Sequence, residues 1–409
     1  MNQVNVRALC ALVVFVLVAS PVPSLAQDCE IGTGLGASVF VPYFEHAPGG
    51  GAGGLTTLFS VTNESNAATL VRVVLWTDWG VPTLGFDVFL PEFDLQTVNV
   101  RDLFNGVVPS TGEGADLSGF EFCNQAPFTP IHPNPALSGA ERDQLVALHS
   151  GVEGPLEVGC AGEDHGDGHV RGYVTIDVVD ECSGIQMGSL FTPAWDGYFV
   201  QGGGGEDAIA IAQNRLWGDY QIVDPANAFA HGSEALSLWA DPARFTGDPT
   251  FTFYGRFHDY DGRDERVPLP TQWASRFLNG GPFTGGTDLI VWRDTGEAEP
   301  GAVACGGHPA WWPLQEGFVV ARDESGDPGS RIDVGSESTF FALATQRKPV
   351  SDFLLPYAFG RLQVSLADGP VVDNPRQSWM QTVLSASGLY STGFNARALN
   401  ELCDDAPTP

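Results

Sequence analysis

The chain has 409 residues, 19 basic against 50 acidic, for a formal net charge of −31, with 50 glycines and 29 prolines. A charge of that sign and size repels nucleic acid and anionic lipid and excludes both as partners of the chain as a whole. Glycine and proline at this density break helix interiors, and a chain beyond about 300 residues divides into more than one core, so a mainly β protein of two domains is expected.

In chain order, Arg7 precedes the apolar run 8–19, followed by Pro21, Pro23 and the small-residue pattern Ser24-Leu25-Ala26. That is the pattern of a secretory signal peptide, 1–26, and predicts export to the periplasm, the cell surface or the extracellular space. The run is too short to cross a bilayer, and nothing later approaches about 20 uninterrupted apolar residues, so no membrane span is expected. Loss of 1–26 removes Arg7 and Cys10 and leaves Cys29, Cys123, Cys160, Cys182, Cys305 and Cys403. An even set in an oxidising compartment predicts disulfides. The preferred local pair is Cys160 with Cys182, which flank the strand-like run 173–179, and Cys29 and Cys403 lie near the two ends of the exported chain.

The segment 73–82 aligns without gaps on 319–328, at a separation of 246 residues, and the register continues to Asp87-Val88 on Asp333-Val334. Identities fall at Val73, Val74, Gly80, Pro82, Asp87 and Val88. Flanking blocks follow in the same order: 39–44 resembles 273–278, 56–61 resembles 287–292, 172–176 resembles 360–364, 217–223 resembles 379–385, and Ala235-Leu236 resembles Ala398-Leu399. An ordered series of matches at one spacing is the mark of an internal duplication. Each block reads as a short strand. Phe86, Val88 and Leu90 alternate with Asp87 and Phe89, the period of a half-buried strand, and Gly80 and Pro82 mark a hairpin connection. Short strands with turns every ten or so residues predict antiparallel sandwiches, one over 27–245 and one over 246–409.

Residues 54–103 carry Val61-Thr62-Asn63-Glu64-Ser65, then Asp78-Trp79-Gly80, then Asn99-Val100-Arg101-Asp102-Leu103. In these turns the segment resembles the Ig-like domains of secreted bacterial proteins. The resemblance implies an Ig-like sandwich and no particular activity.

The first copy departs from the repeat by an insertion, 104–169, against a short connection between Thr345 and Gly360 in the second. Within it, Ser138 and Glu141 form a capping box, Leu145, Val146 and Leu148 follow, and Gly151 stands where a helix ends. Material added to a repeated scaffold is where a specialised site is expected. The insertion ends in Asp164-His165-Gly166-Asp167-Gly168-His169, with Glu163 before it. Two imidazoles and several carboxylates on a flexible loop are candidate ligands for a divalent cation such as zinc, with His132 or His149 to complete the set.

Asp259, Asp261 and Asp264 form a second acidic cluster that fails the EF-hand pattern, because Arg263 stands where an oxygen ligand is required, but leaves another calcium geometry open. Trp311 and Trp312, between Pro309 and Pro313, are candidates for stacking on a sugar or another surface protein. Trp217 and Trp379 occupy matching places and are expected in the sandwich cores. No nucleophile elbow occurs, and oxidised cysteines offer no thiolate. The leading expectation is an exported, non-enzymatic structural or ligand-binding protein; the alternative is a metal-dependent hydrolase with its site at 160–170.

Overall fold

The computed structural model describes residues 34–120, 123, 137–182, 186–187, 210–240, 266, 269–295, 301–324, 332–333, 340–367 and 377–399, all within the compact unit Ile31–Pro409. The expected signal peptide 1–26, Cys29, Cys403, His132 and the cluster Asp259, Asp261 and Asp264 lie outside the described residues.

The described chain is mainly β. Its first half holds β1 (Ser38–His46), β2 (Thr56–Asn63), β3 (Thr69–Thr77), β4 (Pro82–Leu90), β5 (Leu95–Asn99), β6 (Val170–Val179), β7 (Gln186–Met187), β8 (Leu216–Asp224), β9 (Phe229–Glu234) and β10 (Leu236–Leu238). Two helices, α1 (Val100–Phe104) and α2 (Gly139–Ser150), lie between β5 and β6. The second half holds β11 (Gln272–Leu278), β12 (Gly286–Arg293), β13 (Phe318–Asp323), β14 (Ile332–Asp333), β15 (Thr345–Pro349), β16 (Phe359–Ser365), β17 (Ser378–Ser385), β18 (Ser391–Asn395) and β19 (Arg397–Ala398).

Each half forms two antiparallel sheets. In the first, β10-β1-β6-β3-β4-β7 faces β5-β2-β8-β9; in the second, β19-β11-β16-β13-β14 faces β15-β12-β17-β18. Apart from the extra β7, the strand orders correspond one for one. The correspondence extends to single residues. The Thr57 hydroxyl donates to the carbonyl of Glu45 and accepts its N–H, both at 3.0 Å; Thr287 does the same with Leu278 at 2.9 and 2.8 Å. A Cβ on Gly172 would stand 1.9 Å from the Trp76 carbonyl oxygen, and one on Gly360 would stand 2.1 Å from that of Arg322.

These contacts adjust the sequence alignment. Thr57, not Thr56, matches Thr287, and Ser237, opposite Val39, matches Ala398, opposite Trp273. Trp217 and Trp379 do share a register, opposite Thr62 and Trp292. Trp379 is buried against Trp273, ring centroids 5.0 Å apart. Trp217 is only half-buried, contrary to expectation, because Val39 stands where Trp273 would meet it.

The expected half-burial of β4 also fails: all nine of its residues are buried. One face of the first half's six-stranded sheet packs on its partner sheet through Val39, Val41, Phe44 and Phe59. The other face carries Phe40, Trp76 and Tyr173 into a core that continues with Trp273, Trp292 and Phe341 of the second half. Phe40 meets Trp292 at 4.7 Å, and Trp76 stacks on Tyr173 at 5.6 Å. Asp87 tolerates burial because Arg72, directly opposite on β3, pairs with it at 3.3 Å.

Helix α2 forms as its sequence dictates. Ser138 and Glu141 complete the capping box, and Gly151 ends the helix with φ of 72°. Two disulfides are described, Cys123–Cys182 and Cys160–Cys305. The expected Cys160–Cys182 pair is not formed. The ten residues of β6 stand between these cysteines and extend about 33 Å, far beyond disulfide reach.

Candidate functional site

The loop 163–169 runs from the insertion into β6 and is shaped by two short side-chain turns. Asp164 accepts the N–H of Gly166 at 2.8 Å, and Asp167 accepts that of His169 at 3.0 Å. Its two imidazoles do not converge; each meets a different buried carboxylate on a first-half strand or turn.

His169 Nδ1 lies 2.9 Å from Glu45 Oε1. Glu45 is next to last in β1 and sits directly opposite Arg171 on β6, whose Nη2 is 2.7 Å from the same oxygen. Arg171 also grips Asp167 with two bonds, at 3.0 and 2.5 Å, and Tyr43 donates to Glu45 Oε2 at 3.1 Å. Burial pushes the Glu45 carboxyl up, but the His169 bond with Arg171 and Arg347 more than offsets it, and the group sits below its usual range. The Glu45 bond raises the His169 imidazole against the effect of its own burial. Arg171 holds Asp167 far below the usual carboxylate range. Glu45, Asp167 and His169 each offer one ligand atom within 4.8 Å of the others. Arg171 Nη2 already stands between two of them as a fixed cation.

His165 Nε2 lies 2.9 Å from Asp78 Oδ2, and the other oxygen of Asp78 accepts the Glu163 N–H at 3.0 Å. Asp78 is fully buried in the β3–β4 turn; burial raises its carboxyl, and the His165 bond offsets this only in part. Its carbonyl accepts the N–H of Ala344 at 2.9 Å, a tie to the second half. His149, considered as a further ligand, is committed elsewhere. It is buried against Phe44 and Phe104, with Thr83 Oγ1 2.6 Å from Nε2 and the Arg171 carbonyl 2.8 Å from Nδ1.

Beside Asp78 the loop is clipped to the second half. Cys160 bonds to Cys305, and its backbone exchanges two hydrogen bonds with Val303, both 2.9 Å. The clip brings His308 to Glu163, 3.6 Å away, and to Trp79, ring centroids 5.9 Å apart. The Trp79 indole donates to Glu163 Oε2 at 3.3 Å. His308 stacks on Trp312 at 3.8 Å, and Trp312 remains 37% exposed. Trp311 is half-buried and packs against the small core cluster that includes Trp79, Leu148 and Leu343. Of the two candidate stacking residues, Trp312 therefore faces solvent and Trp311 closes the core.

Sequence reading missed Glu45, Asp78, Arg171 and His308. Two of them carried a signal: Glu45 as an acid directly after the apolar block 39–44, and Asp78 as the first residue of the turn Asp78-Trp79-Gly80. Compared with protein-family models, curated proteins and solved structures, the chain gives no match to any of them.

Proposed function

We propose that the protein is an exported, non-enzymatic ligand-binding or structural protein of the cell surface or extracellular space. In this reading it consists of two Ig-like sandwiches descended from one duplicated unit. The common strand order and the paired roles of Gly172 with Gly360 and Thr57 with Thr287 support the duplication. The observation that carries the binding role is the clip at Cys160–Cys305. It fixes loops from both halves so that Trp312 and His308 stand stacked at the surface, with Glu163 beside them. An aromatic face flanked by an imidazole and a carboxylate suits a sugar, whose C–H face stacks while its hydroxyls take the polar groups. The test is a glycan-array screen of the protein and of Trp312→Ala. A glycan bound by the first and at least about tenfold more weakly by the second is expected. Absence of any bound glycan, or binding that survives the substitution, removes the assignment.

The alternative, a metal-dependent hydrolase, rests on the proximity of Glu45, Asp167 and His169. It requires a cation to displace Arg171 from two carboxylates. Stoichiometric zinc in the purified protein, lost in both His169→Ala and Glu45→Gln, would favour it over the binding reading.

A further inference from the structure

The outer face of the second half's five-stranded sheet carries a line of arginines. Arg322 on β13 is directly opposite Arg361 on β16, which is directly opposite Arg276 on β11. Cross-strand partners leave the same face, so the three guanidinium stems follow one another at the strand spacing, about 4.8 Å. Arg397 on β19, opposite Ala274, joins the same face. Arg276, Arg361 and Arg397 are exposed and Arg322 is half-buried. Phe318 and Phe359, also on this face by alternation, are 41% and 40% exposed. Among the described residues none of the four guanidinium groups has a carboxylate partner; Arg276 lies over the Phe394 ring at 5.3 Å.

Like charges directly opposite each other destabilise a sheet. Solubility does not require them, since the chain supplies that elsewhere with 50 acidic residues. Arginine here is a costly choice that an anionic partner would repay. We propose that this face binds a polysaccharide bearing a carboxylate on each sugar. A guanidinium takes a carboxylate through paired N–H donors. In a linear uronan neighbouring sugars are turned over, so carboxylates facing one side recur about every second sugar, close to the two strand spacings, about 10 Å, that separate Arg322 from Arg276; Phe318 and Phe359 offer rings to sugar C–H faces. The overall negative field opposes any polyanion at long range, but in physiological salt it decays over about 8 Å. The contact is therefore local, and affinity accumulates from several weak pairs along one chain. An acidic protein, a second copy of this chain included, supplies carboxylates without that single-file repeat. The inference uses a face distinct from the Trp312 patch and does not depend on it.

The experiment measures binding to immobilised polygalacturonate, to its methyl ester and to dextran sulfate. The proteins are the full exported chain, the triple variant Arg276→Gln, Arg322→Gln, Arg361→Gln, and two controls, Arg142→Gln and Trp312→Ala. Binding to polygalacturonate that weakens with salt, disappears on esterification, falls at least about tenfold in the triple variant and persists in both controls is the expected result. Arg276 and Arg361 are exposed and Arg322 is half-buried, and removing their mutual repulsion should leave the unfolding midpoint of the triple variant at or above the parent's. Equal binding by the triple variant, no binding by the parent, or capture by dextran sulfate alone overturns the proposal. Concentration-dependent oligomers in sedimentation velocity, abolished by the triple variant, would overturn it in favour of a second copy as occupant.

Discussion

The same face of the same sheet is used in opposite ways by the two halves. Trp76 and Tyr173 are cross-strand partners on β3 and β6, and the matching pair on β13 and β16 is Arg322 and Arg361. Phe40 corresponds likewise to Ala274. In the first half this surface is aromatic and docked on the second half; in the second, Val320, Ala274 and Ser365 are buried, and the row Arg322, Arg361 and Arg276 is open to solvent. The end of the sheet reverses the pattern. Glu45 and Arg171 form the charged cross-strand pair of the first half, where the second half has Leu278 and Phe359. One backbone thus supports a packed interface or a solvated charged surface, and the choice lies in a few side chains at equivalent positions.

The sharpest way to break this comparison is to truncate the matched pair Trp76 and Arg322. Trp76 is buried, stacked on Tyr173, and its indole donates to Thr175 at 2.9 Å. Trp76→Ala is expected to destabilise by about 3–5 kcal/mol, and Arg322→Ala to stay within about 0.5 kcal/mol. Denaturant unfolding of the two variants measures both. Similar losses would mean that the second face is also covered.

The ends of the two sheets differ in their response to acid. Phe44 is covered by His149 of the insertion helix, whereas its counterpart Phe277 lies 6.0 Å from the ring of Tyr357. Burial pushes the His149 imidazole down to about 4. Between about pH 6.5 and that value the unfolded chain takes up a proton that the folded chain refuses, so the contribution is complete above the window and is lost as pH falls through it. The full loss is about 3 kcal/mol. Unfolding midpoints measured from pH 7.5 to 4 should decline over this window in the parent and show a flatter profile in His149→Gln. An unchanged slope would assign the acid sensitivity to other groups.

Local signals in the sequence survived folding well. The capping box at Ser138, the stop at Gly151 and the turn at Gly80 each depend on residues within a few positions, and all formed. Long-range partners were hidden: His169 finds Glu45 and His165 finds Asp78 across 124 and 87 residues, and Cys160 finds Cys305 across 145. The double burial of the first sheet was hidden as well, because Asp87 reads as a solvent-facing residue until Arg72 is placed opposite it. A single irregularity in β1, between Val41 and Phe44, shifts the match with β11 by one residue, which a gapless comparison of short blocks cannot register.

Beneath the differing faces the frameworks should respond alike, and the glycines test this next. A methyl group on Gly172 would meet the Trp76 carbonyl and Phe44, and one on Gly360 would meet the Arg322 carbonyl and Phe277. Each Gly→Ala variant is expected to lose about 1–3 kcal/mol in denaturant unfolding. A large loss in one half alone would show that the equivalence is confined to strand order.

The smallest effect belongs to the threonines, and it bears most directly on common descent. Thr57 and Thr287 each bridge both backbone groups of one residue in the neighbouring first strand, Glu45 or Leu278. Thr→Val keeps the side-chain shape but withdraws the hydroxyl, leaving an N–H and a carbonyl without that partner. The expected loss is about 1–2 kcal/mol at each site. Because the sites are in different halves and share no partner, the double variant should lose the sum. Hydrogen exchange at the Glu45 and Leu278 amides should accelerate in the matching variant only. If Thr287→Val were neutral while Thr57→Val was not, the bond in the second half would be a geometric coincidence, and the case for one ancestral framework would rest on strand order and the glycines alone.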